Sequence, residues 1–414
     1  MTGGRRPIEA RLSAAGLPPL PRTAWLEIDL DALVANLAAI RDSVPPGTAV
    51  RPVVKADAYG HGAVPVARAL QDAGVDGLCV AAFDEAVELR DAGLEAPIAV
   101  LYPVPPALVA DAARLGVSVS AGDPVLLARM LDGLAAATGD RPDLAIELEI
   151  ESGLGRDGFD AADLLAAASA IGSARGVRLA GLWTHLQAPE DLPRTERQMA
   201  RFEAAAAALR AAGVGLPHRH AAASAGILLG DVAAYDGIRP GLAIYGLVPD
   251  EILGTPAGDA AGRVLRPILS LRARPVRVLD LPTGSGIGYG PSFETARPSR
   301  IATLPLGYGD GWSRSLSNRA EALVRGRRAP LVGNVSMDAV MVDVTDIPGG
   351  PVTPDDEFTL IGEDGGERIA APDLARTRTT NSWEVVTAMA RRLPRVYDAA
   401  PGAVALRTLS VRRS

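Results

Sequence analysis

Lys55 is the residue with the clearest chemical meaning in the sequence. It is the only lysine among 42 lysine and arginine residues, and it lies within V-R-P-V-V-K-A-D-A-Y-G-H-G at residues 50–62. An arginine can replace a lysine as a surface cation, but its guanidinium stays protonated and cannot act as an amine nucleophile. We therefore expect Lys55 to be kept for amine chemistry, with Schiff-base formation as the leading case.

Metal and cysteine chemistry are poorly supported by the sequence. The four histidines, His61, His185, His218 and His220, form no H-x-x-x-H pattern, so we predict no metal site. The single cysteine, Cys79, lies in the apolar run G-L-C-V-A-A and is predicted to be buried in a strand. One cysteine also excludes an internal disulfide framework.

The amino-acid composition makes some classes of binding partner unexpected. A net charge of −7 makes nucleic acid or an anionic membrane surface an unexpected partner. The chain has no apolar core of signal-peptide length at its start and no run long enough to span a membrane, so we expect a cytoplasmic protein. Residues 1–22, with Pro18, Pro19 and Pro21, are predicted to be a loose leader.

The elements that must position Lys55 follow an alternating pattern. Short apolar runs alternate with Ala/Leu-rich helical segments, several of which end in D-A-G or A-A-G, as a helix C-cap requires. Without a Rossmann glycine fingerprint, this alternation favours a (β/α)8 TIM-type barrel over residues 23–255. Short β-rich segments between Gly/Pro turns predict a mostly β domain over residues 256–414. The first strand, residues 23–29, is also a candidate to pair with that domain.

Eight blocks along the chain resemble the alanine racemase family and occur in that family's order. They are A-W-L-E-I-D-L-D-A-L (24–33), V-V-K-A-D-A-Y-G-H-G (53–62), G-L-G-R-D-G-F (153–159), G-L-W-T-H (181–185), I-R-P-G-L-A-I-Y-G-L (238–247), G-I-G-Y-G-P-S-F (286–293), L-G-Y-G-D-G (306–311) and S-M-D (336–338). The resemblance implies a barrel-type enzyme that uses pyridoxal 5'-phosphate, acts on a small amino acid, and forms a homodimer with shared active sites.

The resemblance also implies catalytic roles. Lys55 matches the lysine that holds the cofactor and serves as one acid/base group, and Tyr289 matches the second base, delivered from the partner subunit. His185 matches the histidine that hydrogen-bonds this tyrosine. Arg239 matches the arginine that faces the pyridine nitrogen, where many related cofactor sites have an acidic residue.

Further positions match residues that bind the cofactor or the substrate. Arg156 matches the arginine that contacts the substrate carboxylate and the cofactor, and Met337 matches a substrate contact from the partner subunit. Tyr308 and Asp338 match positions that line the access to the site. The positions that match the phosphate-binding set are Tyr59, Ser224, Gly241 and Leu242.

The sequence departs from the family pattern at three positions. Glu149 stands seven residues before Arg156, where many members have a lysine that becomes carbamylated. Both groups end in an anionic pair of oxygens, so we hypothesise that Glu149 supplies the carboxylate that orients Arg156. Ala223 replaces an asparagine in H-A-A-A-S, and Trp383 in T-N-S-W-E replaces a tyrosine that meets the phosphate. Because of these two changes, the resemblance does not decide which amino acid is the substrate.

The leading hypothesis is an alanine racemase that supplies D-alanine for peptidoglycan by a two-base mechanism. A racemase of another small amino acid, such as serine, in secondary metabolism is the alternative. A decarboxylase of the same two-domain plan would need a cysteine from the partner subunit, and Cys79 lies in the barrel half. A single-domain cofactor carrier would lack residues 256–414, and a catalytically dead relative would not be expected to keep Lys55 and Tyr289.

Overall fold

The chain divides into two compact units in a computed structural model that describes residues 6–139, 141–215, 218–230, 234–400 and 402–409. The barrel unit comprises residues 33–58 and 66–266, and the β unit comprises residues 1–32, 59–65 and 267–414. The division after the barrel therefore falls beyond the predicted residue 255. Asn36 holds Arg266 to the barrel unit, because its side chain accepts from the Arg266 amide and donates to the Arg266 carbonyl, each at 2.9 Å.

Both units contain strands and helices, which we number along the chain. The strands are β1 (Ala24–Asp29), β2 (Ala49–Val50), β3 (Leu78–Val80), β4 (Ile98–Val100), β5 (Val117–Ala121), β6 (Leu144–Glu149), β7 (Val177–Trp183), β8 (His218–Ala223), β9 (Gly237–Arg239), β10 (Leu269–Ala273), β11 (Arg277–Leu281), β12 (Ser299–Leu304), β13 (Glu321–Val324), β14 (Arg327–Val332), β15 (Val340–Asp343), β16 (Phe358–Asp364), β17 (Glu367–Ile369), β18 (Arg395–Ala399) and β19 (Gly402–Arg407).

The helices are α1 (Ile8–Ala14), α2 (Leu30–Asp42), α3 (Lys55–Tyr59), α4 (Ala63–Asp72), α5 (Phe83–Asp91), α6 (Val109–Arg114), α7 (Pro124–Ala136), α8 (Ala161–Ser173), α9 (Leu192–Ala211), α10 (Ser224–Leu229), α11 (Pro256–Val264), α12 (Ala371–Arg378) and α13 (Ser382–Thr387). Short 3-10 helices include Leu242–Tyr245 and Tyr308–Asp310. The segment α3 is left-handed and is described with the site.

Eight parallel strands form the barrel unit's sheet, in the order β2-β9-β8-β7-β6-β5-β4-β3. The ring closes beside β2, because Val53 forms an isolated parallel bridge with Cys79. The Cys79 amide donates to the Pro52 carbonyl at 2.9 Å, and the Val54 amide donates to the Cys79 carbonyl at 2.8 Å. Eight parallel strands, with helices between them along the chain, confirm the predicted (β/α)8 barrel.

Several helices in the barrel unit begin or end beside residues that favour a helix terminus. Asp123, Asp160 and Asp191 each precede a helix and accept from backbone amides of its first turn. Such a cap contributes about 1 kcal/mol. Gly93 and Gly213 follow α5 and α9 with φ of 78° and 76°, the left-handed conformation that ends many helices.

The β unit contains a second, mostly antiparallel sheet, as the predicted C-terminal β domain requires. Its order is β11-β12-β15-β14-β13-β16-β10-β1-β18-β19, and β17 pairs with β16. The strand β1 precedes the barrel in sequence but lies in this sheet, antiparallel to β10 and parallel to β18. It has a neighbouring strand on both edges, and five of its six residues are buried.

The predicted loose leader is partly wrong, because residues 8–14 form the helix α1. Ile8 and Leu12, four residues apart on one helix face, are buried against Trp25 and Val396. Arg11 donates to Glu27 at 2.7 Å and also pairs with Asp398. The helix is therefore held by both packing and ion pairs, and only residues 1–5 of the leader lie outside the described residues.

Candidate active site

Lys55 lies at the carboxyl end of the segment that begins with β2, the end of a barrel strand where functional residues gather. The four residues after it, 56–59, all have positive φ, from 52° to 57°. They form a left-handed turn, which costs roughly 1–2 kcal/mol per non-glycine residue. The Glu85 carboxylate accepts from the Ala56 amide at 2.6 Å and from the Ala81 amide at 2.7 Å. This contact ties the strained turn to the end of β3.

Positive charges surround the half-buried Lys55 amine. Burial lowers the pKa of Lys55, Arg156 and Arg239 lower it further, and Glu85 opposes them. A larger fraction of this amine is therefore neutral at physiological pH than for an exposed lysine. Only the neutral amine is a nucleophile or a base, so the surroundings suit Lys55 to amine chemistry.

Glu149, at the end of β6, forms an ion pair with Arg156. The guanidinium donates to the carboxylate at 3.0 Å, and the Glu149 side chain is 4% exposed while that of Arg156 is 36% exposed. Burial raises the pKa of Glu149 to about 7, although Arg156 favours the ionised form. Arg156 also lies 5.5 Å from the centre of the Tyr102 ring. Above about pH 7 the pair therefore presents a half-exposed guanidinium fixed by a buried carboxylate.

Arg239, at the end of β9, is fully buried and held from several sides. It donates to the carbonyl of Thr184 at 2.8 Å and to that of Ala221 at 3.3 Å, and it lies 4.9 Å from the centre of the Trp183 ring. Burial lowers the pKa of Arg239 to about 10, so it stays charged near neutral pH. Its Nη2 is 3.4 Å from Nδ1 of His185.

His185 is neutral in this setting. Burial and the charges of Arg239, Arg156 and Lys55 lower the pKa of His185 to about 3. Because a guanidinium only donates, Nδ1 facing Arg239 acts as the acceptor, and the proton lies on Nε2. The ring can therefore donate a hydrogen bond to another group.

Ser224, Gly241 and Leu242 lie together where β8 and β9 end. The hydroxyl of Ser224 accepts from the amides of Gly241 at 2.9 Å and Ala243 at 3.1 Å. Gly241 immediately precedes the 3-10 helix that begins at Leu242. Clustered amides and a hydroxyl form the kind of cradle that binds an anion such as a phosphate.

The β unit carries the remaining candidates. Tyr59 is buried, Trp383 is half-buried on α13, and Asp338 is exposed. Tyr289 is 79% exposed, and Tyr308 and Met337 are also exposed. The structure therefore places the predicted site residues in two groups, one in each unit.

Hydrogen bonds join the three loops that carry the exposed candidates. Asn334 donates to the carbonyl of Tyr289 at 2.9 Å, and the Tyr308 amide donates to the carbonyl of Ser336 at 3.0 Å. Arg392 donates to Asp338 at 2.7 Å. Tyr289, Tyr308, Met337 and Asp338 thus belong to adjoining loops on the surface of the β unit.

Several charged residues around these groups are not predicted from the sequence. Glu85 supports the turn after Lys55. The one feature of the sequence that could have indicated this residue is its position near the start of α5. Arg51, Glu147 and His220 form a buried chain that reaches Arg239. Their partners are far apart in sequence, so no spacing pattern identified them.

Neither a metal-binding cluster nor a membrane-spanning helix is found in the part of the chain that the structure describes. Within it, three or more His, Cys, Asp or Glu side chains are nowhere grouped to hold a metal ion. Across the same residues, every helix is too short or too polar to cross a membrane. The predictions of no metal site and no membrane partner stay predictions.

A half-buried lysine with a lowered pKa at the mouth of a (β/α)8 barrel, in a chain that also has a mostly β unit, points to a class of two-domain barrel enzymes. The family model for the alanine racemase N-terminal domain matches residues 28–249, and that for the C-terminal domain matches residues 268–397. The chain therefore belongs to the alanine racemase family.

Individual relatives agree with this assignment. Alanine racemase from Symbiobacterium thermophilum is 41% identical over 379 residues, which cover 91% of this chain and 97% of that protein. The crystal structure of alanine racemase from Bacillus anthracis with bound L-Ala-P has a TM-score of 0.87 at 31% identity, covering 94% of this chain and 99% of that one. Alanine racemase from D-cycloserine-producing Streptomyces lavendulae has a TM-score of 0.83 at 34% identity, covering 92% and 98%.

Proposed function

We propose that the protein is a racemase that depends on pyridoxal 5'-phosphate and interconverts L- and D-alanine. The observation that carries this proposal is Lys55, the only lysine of a chain in the alanine racemase family, with a lowered pKa at the mouth of the barrel. We further propose that the enzyme is cytoplasmic and supplies D-alanine for peptidoglycan.

The residues present fit the cofactor. Pyridoxal phosphate, when bound, supplies an electron-withdrawing ring that stabilises negative charge at the substrate α-carbon. The Lys55 amine would hold it, and the cradle at Ser224 would accept its phosphate, while Arg239 would face the ring nitrogen. Because an arginine only donates, Arg239 would favour a ring nitrogen that accepts a hydrogen bond and carries no proton. The proposed cofactor-binding set is Lys55, Tyr59, Arg156, Ser224, Arg239, Gly241, Leu242 and Trp383.

Racemisation needs one proton-transfer group on each face of the substrate α-carbon. We assign Lys55 to one face and Tyr289 of the partner subunit to the other. The large exposed fraction of Tyr289 supports its role in a second subunit's site. A phenol with a pKa of about 10 is a weak base near neutral pH unless its surroundings favour the anion. Neutral His185, with its proton on Nε2, could donate to the phenolic oxygen and stabilise that anion.

Substrate recognition falls to Arg156 and Met337. Arg156 would bind the amino acid carboxylate, with Glu149 holding the guanidinium in place of a carbamylated lysine. Met337 of the partner subunit would contact the substrate, and Tyr308 and Asp338 would line the access to the site.

Covalent trapping tests the proposal directly. Borohydride reduction makes the link between pyridoxal phosphate and its amine permanent, and Lys55 is the only lysine available. We expect mass spectrometry to find the label on Lys55 and purified protein to form D-alanine from L-alanine. Lys55→Arg should lose the label and at least a hundredfold in kcat, since acid–base catalysis contributes about 10²–10⁴-fold. A label-free wild-type protein without racemisation would refute the proposal.

The alternative substrate rests on two positions. Ala223 pairs with Arg239 between β8 and β9 and offers no side-chain amide, and Trp383 has no hydroxyl. A racemase of another small amino acid, such as serine, in secondary metabolism would fit these changes. A higher kcat/KM for serine than for alanine would favour this alternative.

A further inference from the structure

A chain of charged side chains lies inside the barrel, earlier on the strands that carry the site. Glu147 is two residues before Glu149 on β6, and Arg51 is four residues before Lys55. Both are buried, as is His220 on β8. Barrel interiors are usually filled by Val, Ile and Leu, and burying ions costs several kcal/mol unless they are well paired. This charged layer therefore needs a specific explanation.

The Glu147 carboxylate is paired at both oxygens. Its Oε1 accepts from Arg51 at 2.7 Å and from the Ser118 hydroxyl at 3.1 Å, and its Oε2 lies 2.9 Å from Nε2 of His220. Gly181 on β7 leaves space for this side chain, because a Cβ there would lie 2.8 Å from the Glu147 Cγ. The neighbouring strand is thus shaped to admit a glutamate.

The hydrogen-bond partners of His220 are compatible with only one tautomer of its neutral ring. An ionised Glu147 only accepts hydrogen bonds, and Arg239 only donates them. Nε2 of His220 must therefore carry the proton, and Nδ1, which contacts Nη1 of Arg239, must accept. In the opposite tautomer, a donor would face Arg239 and an acceptor would face Glu147. The 3.4 Å approach of Arg51 to Nε2 brings two donors together, so it adds no hydrogen bond in this form.

Charge supports the same assignment. Burial and Arg239 lower the pKa of His220 to about 3, which leaves the ring neutral despite the adjacent Glu147. Burial alone would raise the pKa of Glu147, but Arg51 and His220 outweigh it and hold that pKa well below its usual value. The carboxylate is therefore an anion and the imidazole is neutral throughout the physiological range.

Nη1 and Nη2 of Arg239 depend on different partners. Nη2 donates to the carbonyls of Thr184 and Ala221. Among the described residues, the hydrogen bonds of Nη1 go only to His220, to Nδ1 and to its carbonyl at 3.2 Å. The state of the His220 ring therefore decides how one side of the guanidinium is held.

We propose that Glu147, paired with Arg51, is a positioning residue of the active site: it fixes His220 with its proton on Nε2, so that Nδ1 holds the Arg239 guanidinium in place. The functional part of this inference rests on the proposed role of Arg239 opposite the cofactor ring. Glu147 acts through His220 and touches neither cofactor nor substrate in this assignment.

Full-length protein labelled with 15N-histidine provides the test. The chain has four histidines, and a His220→Asn variant identifies the signals of His220. We compare wild type with Glu147→Gln, which keeps an oxygen acceptor but loses the charge, and with Arg51→Met/Glu147→Leu, which removes both charges together. Glu27→Gln is the matched control, because Glu27 is a buried carboxylate in the β unit that also accepts from an arginine.

We expect the wild-type His220 ring to carry one proton, on Nε2, with a downfield N–H signal that exchanges slowly. Glu147→Gln should move that signal upfield and lower kcat about 10- to 100-fold, as loss of an outer partner of a bound group does elsewhere. KM should change little, since Arg239 is not assigned to the substrate. The double variant should lose the slow exchange, and Glu27→Gln should change neither signal nor kcat.

Two results would overturn the inference. One is a wild-type ring with its proton on Nδ1 or on both nitrogens. The other is a Glu147→Gln variant that is less stable but has wild-type kcat and an unmoved signal, which would make the chain a purely structural ion pair. If the wild type bound no pyridoxal phosphate, the proposed function would fail, while the signals of the cofactor-free protein would still decide whether Glu147 sets the state of His220.

Discussion

At the scale of single residues, the site combines positive charge with one amine. Arg156 and Arg239 lower the pKa of Lys55, and each arginine is matched by a buried carboxylate that acts on it, Glu149 directly and Glu147 through His220. The amine can therefore shed its proton while the guanidinium groups stay charged. An arginine at position 55 could not share in this division of roles, because its guanidinium cannot lose a proton near neutral pH.

Glu149 predicts a pH-dependent contribution to stability. Burial raises its pKa from 4.5 to about 7, so between these values the folded protein keeps a proton that the unfolded chain has released. Stability should therefore fall as pH rises through this window, by roughly 3 kcal/mol at about 1.4 kcal/mol per pKa unit.

Urea unfolding of the cofactor-free protein at about pH 5 and about pH 8 measures this effect. The side chain in Glu149→Gln does not titrate, so the variant should gain stability relative to wild type at the higher pH. The exposed Glu9, which also pairs with an arginine, gives Glu9→Gln as a control with no such gain. An equal pH dependence in wild type and Glu149→Gln would show that Glu149 is ionised well below neutral pH.

At the scale of elements, the left-handed turn after Lys55 is the unusual feature. Four consecutive non-glycine residues with positive φ oppose the intrinsic preference of the backbone. The turn is held by the Glu85 carboxylate on its first amide and by the Ala58 amide, which donates to the Val54 carbonyl at 2.9 Å. The surrounding structure thus maintains a strained backbone directly after Lys55.

Glycine should relieve this strain. Ala56 is exposed and its φ is 52°, so Ala56→Gly loses little packing and should raise the free energy of unfolding by about 1 kcal/mol. Ala207 is an exposed alanine inside the right-handed helix α9, and Ala207→Gly should lower that free energy by about 1 kcal/mol. Denaturant unfolding of both variants checks the opposite signs. Destabilisation by Ala56→Gly would mean that the turn is not strained.

Elements differ in how far the sequence could predict them. The barrel followed from local signals, namely apolar runs and glycines that end helices. The sequence also predicts the strand β1 and its pairing with the C-terminal domain, but it does not predict the helix α1, which packs against the distant residues Trp25 and Val396. Lys55 was evident from composition, but Arg51 and Glu147 are 96 residues apart and meet only when the barrel closes.

At the scale of the whole molecule, the exposed loops of the β unit bear on assembly. Tyr289, Tyr308 and Met337 are large side chains that soluble monomers do not usually expose together, and hydrogen bonds join their loops. A two-fold homodimer would place the same loops at two equivalent sites. This fits the proposed active site, which takes Lys55 from one subunit and Tyr289 from the other.

Mixed dimers test such sharing. Lys55→Arg and Tyr289→Phe should each be nearly inactive alone, but a dimer with one subunit of each kind has one site with both wild-type residues. Random exchange of equal amounts should therefore restore about a quarter of the wild-type activity. The control is a mixture of Lys55→Arg with Lys55→Ala. Neither variant has the lysine, so this mixture should restore no activity. No recovery between the first pair, with subunit exchange verified, would place both residues in one subunit's site.

The most direct test of the two-base assignment follows L-alanine in deuterium oxide, with the configuration and deuterium content of alanine measured from the first turnovers. Because Lys55 and Tyr289 are assigned to opposite faces of the α-carbon, the proton removed from one face cannot return to the other. D-alanine should therefore carry deuterium at the α-carbon from the start, while the remaining L-alanine keeps most of its hydrogen. D-alanine that retains the original hydrogen would show a single group transferring it between faces, and no D-alanine at all would contradict racemisation.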